Sequence, residues 1–475
     1  MVKKAQAQLL RSTVRRSTVQ ASAVTLLLAF TLLAPGSFAA ERPNVILLLA
    51  DDLGWGDLGV YGGRSTLTPN LDALAAHGTR LVNYYSTSAV CTPARASLLT
   101  GRYPLRLGIT KHFPDDESHL PAESVTIAEL LQAAGYRTGH VGKWHLGGLH
   151  QKHIDDRAHS IPGPHEHGFE EYLTQLEDPP VRVPLGRENR MYRDGGKHLV
   201  RNDENVPPDP RYYTDINGDE AIRLVEKFHG EGKPFFLNLW WLVPHKPYEP
   251  APEPFFGMYE GWADGDQRKF RSMLSHMDHK VGELVAKLEE LGIADNTLIV
   301  FTSDNGGAYE ADIGPWKGGK TDLHGGGVRV PYIAVWPGKI PAGVVSREVA
   351  NHNDLLPTFC AAAGVEPPAE IDGLNLLPHL TDGAPVLGRG PIFWQMDLYK
   401  SIQRHYPKPE PYATEAVQEG RWKLLSRDGK PVELFDIDAD PQERDNLLPD
   451  FPEVAGRLSR QVKAFLAEPR MSPLP

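Results

Sequence analysis

Seven residues from Asn44 to Ala50 (NVILLLA) form an apolar run that stops abruptly at Asp51 and Asp52. A run this short, without polar alternation, fits a strand covered on both faces. The pattern recurs. RTGHVG (137–142) delivers Lys143, Trp144 and His145; PFFLNLWWLV (234–243) delivers Pro244, His245 and Lys246; TLIVFTS (297–303) delivers Asp304 and Asn305. Between these runs the spacing predicts helices. Thr68 and Pro69 open one that runs through Ala75 and closes at Gly78, before a strand near Leu81. Ser124 is the expected cap of another carrying Ile127, Leu130 and Leu131, with Gly135 past its end. Met273, Met277, Val281, Leu284, Leu288 and Leu291 recur at steps of three and four ahead of Gly292. Apolar strands alternating with helices, each strand handing polar residues to the loop at its carboxyl end, describe an α/β protein whose site lies along one edge of an open sheet.

The remaining segments refine this outline. The His-rich stretch from His150 to His167 has spacings that match no standard zinc site and is expected as a surface loop near the active site. Pro179 to Tyr213, rich in Pro, Arg and Asp, is expected as an irregular excursion that shapes substrate choice. Gly318, Gly319 and Lys320 precede a glycine triplet, Gly325 to Gly327, and an expected strand from Val328 to Trp336. The last hundred residues change character. IFWQM, RWKLL and VELFDI fit short antiparallel strands, and Phe451 to Leu466 a closing helix. The boundary is placed near Asp372, giving a catalytic domain over 40–371 and a C-terminal subdomain over 372–475. There is no internal repeat.

Composition changes the picture mainly at the start of the chain. Lys3, Lys4, Arg11, Arg15 and Arg16 precede an apolar run from Ala23 to Ala34, followed by small residues at Ser37 and Ala39. This is the pattern of a signal peptide over residues 1–39, and it implies export to the periplasm or the extracellular space. The run is short for a membrane span, so the mature form is expected to have none. The leader holds five Lys or Arg and no acidic residue, so its removal takes the net charge from −11 to −16. That balance disfavours nucleic acid as a partner and requires an anionic ligand to be held by a local cluster of cations. With only two cysteines, Cys91 and Cys360, the chain has no disulfide framework; Cys360 sits in an apolar helix-like stretch and is expected as a buried thiol.

Cys91 stands differently. It opens CTPARASLLTGR, where Pro93 and Arg95 lead into a short helix. Unpaired N–H groups at a helix start and the adjacent guanidinium favour negative charge there. The paired carboxylates of Asp51 and Asp52 call for a neutralising cation, and hard oxygen donors favour calcium or magnesium.

The spacing Cys91, Pro93, Arg95, Leu98, Thr100, Gly101 resembles the signature of the type I sulfatases, and the likeness extends over most of the chain. It implies an alkaline-phosphatase-like sandwich: a large mixed, mostly parallel sheet flanked by helices, plus a smaller C-terminal domain with an antiparallel sheet and a helix. It also implies that a formylglycine-generating maturation enzyme oxidises Cys91 to formylglycine. One hydroxyl of the hydrated aldehyde would attack sulfur, and deprotonation of the other would expel sulfate by C–O cleavage and restore the aldehyde. By the same resemblance Asp51, Asp52, Asp304 and Asn305, completed by the modified Cys91, match ligands of one Ca2+ ion, with Asp304 also activating the attacking hydroxyl. Lys143 and Lys320 match lysines that bind sulfate oxygens, and Arg95 the arginine that steadies the formylglycine. His145 matches a histidine that bonds to it and aids sulfate release, and His245 the one that protonates the leaving alcohol. Gly325 departs from the family, which often has a Glu there.

The function implied is an exported, calcium-dependent sulfatase acting on a sulfated carbohydrate or, more broadly, on aryl sulfates. Phosphonate or phosphate ester hydrolysis is the alternative within the same fold, and a sulfated-glycan binder is the alternative if Cys91 stays a thiol.

Overall fold

The computed structural model describes residues 42–112, 118–157, 160–177, 192–193, 198–262, 265–397, 400–408 and 412–471. The expected signal peptide lies outside them, as does much of the excursion before Tyr213. Ten strands make the main sheet: β1 (Asn44–Ala50), β2 (Thr79–Tyr85), β3 (Arg137–Gly142), β4 (Glu171–Gln175), β5 (Leu199–Arg201), β6 (Glu204–Asn205), β7 (Phe235–Trp240), β8 (Thr297–Ser303), β9 (Tyr332–Val335) and β10 (Val344–Asn351). Their spatial order is β10-β2-β9-β8-β1-β7-β3-β4-β5-β6. The central block from β8 through β1 and β7 to β3 and β4 is parallel, and β10 runs parallel to β2. β9 is antiparallel to both of its neighbours. The sheet is therefore mixed and mostly parallel.

The uninterrupted apolar run of β1 follows from this position. Val45, Leu47 and Leu49 face one layer, with Leu355, Leu356 and Phe359 of the helix Leu355–Ala363; Ile46, Leu48 and Ala50 face the other, with Met273, Met277 and Val281 of the helix Gly265–Glu290. All six β1 side chains are fully buried. Cys360 is buried beside Phe359, as expected. Strand pairing in a block covered on both faces leaves no solvated side for polar residues, so charge collects where the strands end.

A second sheet of four antiparallel strands, β11 (Ile392–Gln395), β12 (Glu415–Glu419), β13 (Trp422–Arg427) and β14 (Lys430–Asp436), is closed by the helix Pro452–Leu466. Ala455, Leu458 and Val462 of that helix bury against Val417, Leu424 and Leu434. Among the described residues no helix is long and apolar enough to cross a membrane.

Several local expectations need correction. The helix Ile127–Ala133 is capped by Thr126, whose hydroxyl accepts from Glu129 N at 3.2 Å while Glu129 Oε2 accepts from Thr126 N at 2.8 Å. This reciprocal box satisfies two end groups, which Ser124 alone cannot do. The glycine triplet forms a helical turn, Gly325–Val328, so the following strand starts only at Tyr332, after Pro331. The His-rich stretch is not all surface: it holds a helix, Gln151–Asp155, and His167 is buried with its ring stacked on Trp144 at 6.0 Å. The excursion before Tyr213 adds β5 and β6 to the sheet, and β10, β12 and the 18-residue helix Tyr213–Gly230 were not anticipated. That helix contains Gly218, whose missing side chain leaves room for Lys280: a Cβ there would lie 2.4 Å from Lys280 Cε.

Candidate active site

The loops after β1, β3, β7 and β8 meet at one point because those four strands are neighbours and run the same way. Each turns sharply as it leaves the sheet. Asp52 and His145 take left-handed backbone, φ 65° and 56°. Such conformations are uncommon outside glycine and recur at functional sites. Gly142, φ 99°, ends β3 so close to its neighbour that a Cβ would lie 2.0 Å from the Trp240 carbonyl oxygen. Only glycine lets Lys143 depart from there.

Cys91 is the first residue of the helix Cys91–Thr100 and is buried. Asp51 Oδ1 stands 3.6 Å from its Sγ, Lys143 Nζ 3.5 Å and Lys320 Nζ 3.4 Å. Lys143 pairs with Asp51 Oδ2 at 2.7 Å, and Lys320 with Asp52 Oδ1 at 2.6 Å. Arg95, fully buried, donates from Nε and Nη2 to Asp304 Oδ2 at 3.0 and 2.9 Å and from Nη1 to the Lys143 carbonyl at 3.1 Å. Its guanidinium lies 5.1 Å from the Trp240 ring centroid. Asn305 Nδ2 donates to Asp52 Oδ1 at 2.8 Å. His245 Nε2 approaches Asp52 Oδ2 at 3.7 Å from the rim, its side chain 29% exposed. His145 joins through its backbone: its carbonyl accepts from Thr92 Oγ1 at 2.9 Å, and its N–H donates to Glu177 Oε1 at 2.6 Å.

Three carboxylates thus face three fixed cations, and the protonation states follow. Burial alone would raise Asp51, but Lys143, His245 and Arg95 outweigh it and hold the carboxyl at about 2. Burial is likewise overridden at Asp52, by Lys320 and His245, and its pKa is lowered. Burial pushes the Cys91 thiol up to about 12, with Lys143 and Lys320 opposing. His145 falls well below the usual imidazole range through burial and then the nearby cations Lys143 and Arg95. His245 is also lowered, by burial, against the pull of Asp51 and Asp52. A thiol held protonated is a poor nucleophile, so the unmodified Cys91 side chain is not itself equipped to attack an ester.

The donor set fits a hard divalent cation. Asp51, Asp52, Asp304 and Cys91 place ligand atoms within 4.8 Å of one another, and Asn305 Oδ1, buried beside Asp52, has no hydrogen-bond partner among the described residues. Carboxylate and amide oxygens at this density suit calcium or magnesium rather than a sulfur-seeking metal.

All the residues predicted for the site therefore come together around Cys91. Sequence reasoning missed their supports. Ser86 Oγ donates to the Asp304 carbonyl at 2.6 Å, Ser303 Oγ accepts from Leu53 N at 3.1 Å, and Trp240 underlies Arg95. No spacing marks Ser86; Ser303 and Trp240 were visible only as members of apolar runs. A carboxylate does approach Gly325: Glu443 Oε2 accepts from Gly325 N at 2.5 Å, and Glu443 Oε1 pairs with Lys423 Nζ at 2.7 Å.

Comparison with known proteins gives concordant results. The sulfatase family model matches residues 43–365, and a model described as N-sulphoglucosamine sulphohydrolase, C-terminal, matches residues 319–468. Human N-acetylgalactosamine-6-sulfatase is 37% identical over 392 residues, covering 75% of this chain and 69% of that protein. Human arylsulfatase A is 37% identical over 478 residues, covering 89% of this chain and 86% of that protein. The crystal structure of Ps i-CgsB in complex with k-i-k-neocarrahexaose superposes with a TM-score of 0.77 at 30% identity, covering 90% of this chain and 93% of that one.

Proposed function

Since the chain belongs to the sulfatase family of the alkaline-phosphatase-like superfamily, and so to the sulfuric ester hydrolases, we propose that it is exported, calcium-dependent and specific for sulfate monoesters of carbohydrates. The observation that carries this reading is the meeting of three carboxylates, one amide oxygen and three permanent cations around Cys91 Sγ. The sugar class rests on likeness to an N-acetylgalactosamine-6-sulfatase and to a protein crystallised with a carrageenan oligosaccharide.

In this proposal Asp51, Asp52, Asp304 and Asn305 would hold the calcium, which when bound would offset charge on the sulfate group. A maturation enzyme converts Cys91 to formylglycine, whose hydrate supplies a nucleophile that can later release sulfate without a second attack at sulfur. Lys143 and Lys320 bind the sulfate oxygens from two sides of residue 91. Arg95 fixes Asp304, and through the Lys143 carbonyl it fixes the start of the next loop. Asp304 takes the proton from the attacking hydroxyl. His145, held neutral by burial and nearby cations, accepts the proton given up as sulfate leaves. His245 stands at the rim, where the alcohol oxygen departs, and donates a proton to it. Because burial lowers its pKa, the donating form is confined to the acid side, and kcat/KM should fall as pH rises toward neutrality.

The test pairs chemistry with composition. Mass spectrometry of the tryptic peptide carrying Cys91, from protein made in its native host, should show an aldehyde, and the same protein should release sulfate from N-acetylgalactosamine 6-sulfate. An unmodified thiol together with no sulfate release from any sulfated sugar would leave only a glycan binder. A higher kcat/KM on matched phosphonate esters would move the assignment to phosphorus chemistry.

A further inference from the structure

The leaving-group side of the pocket carries a cluster that none of the roles above uses. Tyr309 follows Asp304 and Asn305 by a few residues, in the loop that also delivers Lys320. It is 49% exposed, and its backbone has φ 52°. A bulky aromatic residue in left-handed backbone is a strained choice that the surrounding structure must enforce. The enforcement is visible. Tyr248 OH donates to the Ala308 carbonyl at 3.4 Å, and Lys320 N donates to the Gly307 carbonyl at 2.8 Å.

Tyr406, from the C-terminal part of the chain, meets this residue. Their ring centroids are 5.2 Å apart at 35°. Lys320 N donates to the Gly307 carbonyl two residues before Tyr309, and Tyr406 lies close enough to Lys320 and Asp52 to feel their charge, so the pair stands at the mouth of the pocket. Lys408 Nζ holds Asp322 Oδ2 at 3.1 Å and moors this segment to the loop that bears Lys320. On the other side Lys246, the residue after His245, sets its ammonium 4.6 Å from the Tyr309 ring centroid.

Resting on the sulfatase reading above, we propose that Tyr309 and Tyr406 form an aromatic wall that packs against the C–H face of the pyranose ring carrying the sulfate ester, making this pair the subsite that selects a sugar as the leaving group. The argument is one of position and surface. A half-exposed aromatic ring held rigidly beside the proton donor presents a flat, electron-rich face where the departing alcohol must lie, and sugar C–H bonds are complementary to such a face. Tyr406 and the Lys246 ammonium are neighbours of the Tyr309 ring, and the residue nonetheless stays 49% exposed. Tyr406 comes from a segment about a hundred residues further along the chain, so the wall is jointly made by two separate loops.

The experiment uses the full mature protein as wild type and as Y309A, Y406A, Y309F and Y406F. For each, calorimetry gives the affinity for N-acetylgalactosamine 6-sulfate, steady-state kinetics gives KM and kcat, and inhibition gives the Ki of inorganic sulfate. The alanine variants should weaken affinity for the sulfated sugar, and raise its KM, by about tenfold. kcat should change little, and the phenylalanine variants should stay close to wild type. The Ki of inorganic sulfate, which has no ring to pack, should not move. Unchanged sugar affinity in both alanine variants would overturn the wall, and so would an equal loss of sulfate inhibition, which marks a general collapse of the pocket. Turnover by wild type reports separately on the sulfatase reading. A wild type that binds the sugar but does not hydrolyse it overturns that reading while the alanine variants still decide the wall.

Discussion

Arg95 offers the sharpest quantitative test of how the pocket is held. Its side chain is fully buried and makes two charge-assisted bonds to one oxygen of Asp304, at 3.0 and 2.9 Å, and one to the Lys143 carbonyl at 3.1 Å, over the face of Trp240. R95M keeps most of the volume but removes every donor, leaving a buried carboxylate without this partner. Breaking a buried ion pair from one side costs about 3–5 kcal/mol. D304N, from the other side, leaves the buried guanidinium with the longer contact from Nη2 to Asp51 Oδ1, at 3.6 Å, as its remaining ion pair, and should also destabilise, by less. In the double variant neither charge is left uncompensated, so the two losses should not add: the cycle should return a coupling of about 2–3 kcal/mol. The assay is urea unfolding in chelator followed by tryptophan fluorescence, the chain having nine tryptophans. A coupling under about 0.5 kcal/mol would refute the reasoning, because it would mean that other groups balance Asp304 and that the fork geometry contributes nothing.

Three further outcomes are expected. His324 bridges Asp322, Nδ1 to Oδ1 at 2.5 Å, and Glu433 of the second sheet, Nε2 to Oε2 at 2.7 Å; burial opposes its protonation but these partners win and raise its pKa. Its stabilising contribution is then complete below the unfolded value of about 6.5 and is lost as pH rises through the higher folded value, so H324Q should flatten the fall in urea midpoint over that window, and equal slopes would dismiss the bridge. Calcium at about 100 times its Kd should stabilise wild type by about 2.7 kcal/mol, read as a rise in thermal midpoint; a D51N/D52N variant should show little of this, and an equal rise would place the cation elsewhere. G325E should destabilise the protein, since a Cβ at Gly325 already lies 3.2 Å from Glu443 Oε2 and a second carboxylate would crowd the Glu443–Lys423 pair. G325E/E443A should recover part of that loss, and the absence of any recovery would mean that the two positions do not exchange roles.

Much of the site was legible because its chemistry sits where hydrophobic runs stop. Asp51, Lys143, His245 and Asp304 each lie just beyond a buried strand, three of which (β1, β7 and β8) are dominated by apolar residues, and in a parallel block buried on both faces that boundary is also a functional boundary. The same logic explains what escaped notice. β12 (EAVQE) is short, with only Ala416 and Val417 apolar between Glu415 and Gln418, so it lacks the apolar run that marked the central strands. The helix Tyr213–Gly230 has Gly218 in its body and no side-chain cap, and its face became apparent only against Lys280. Val328–Trp336 was extended too far because Val328 and Val330 are as apolar as a strand, while the hydrogen bonds that set its start are tertiary. Ser86 and Glu443 act through contacts 218 and 118 residues distant in sequence, which no local pattern announces.

The four strands that deliver these groups are neighbours in space but are drawn from residues 44 to 303, and Lys320 comes later still. No contiguous fragment that stops short of Lys320 or starts after Asp51 therefore owns the whole pocket. During synthesis Cys91 emerges early and waits for more than two hundred residues before its last cationic neighbour, Lys320, exists. Turnover is accordingly a census of the entire central sheet: a molecule that has mispaired any one of these strands is silent, and the active fraction of a preparation measures how completely that sheet has assembled.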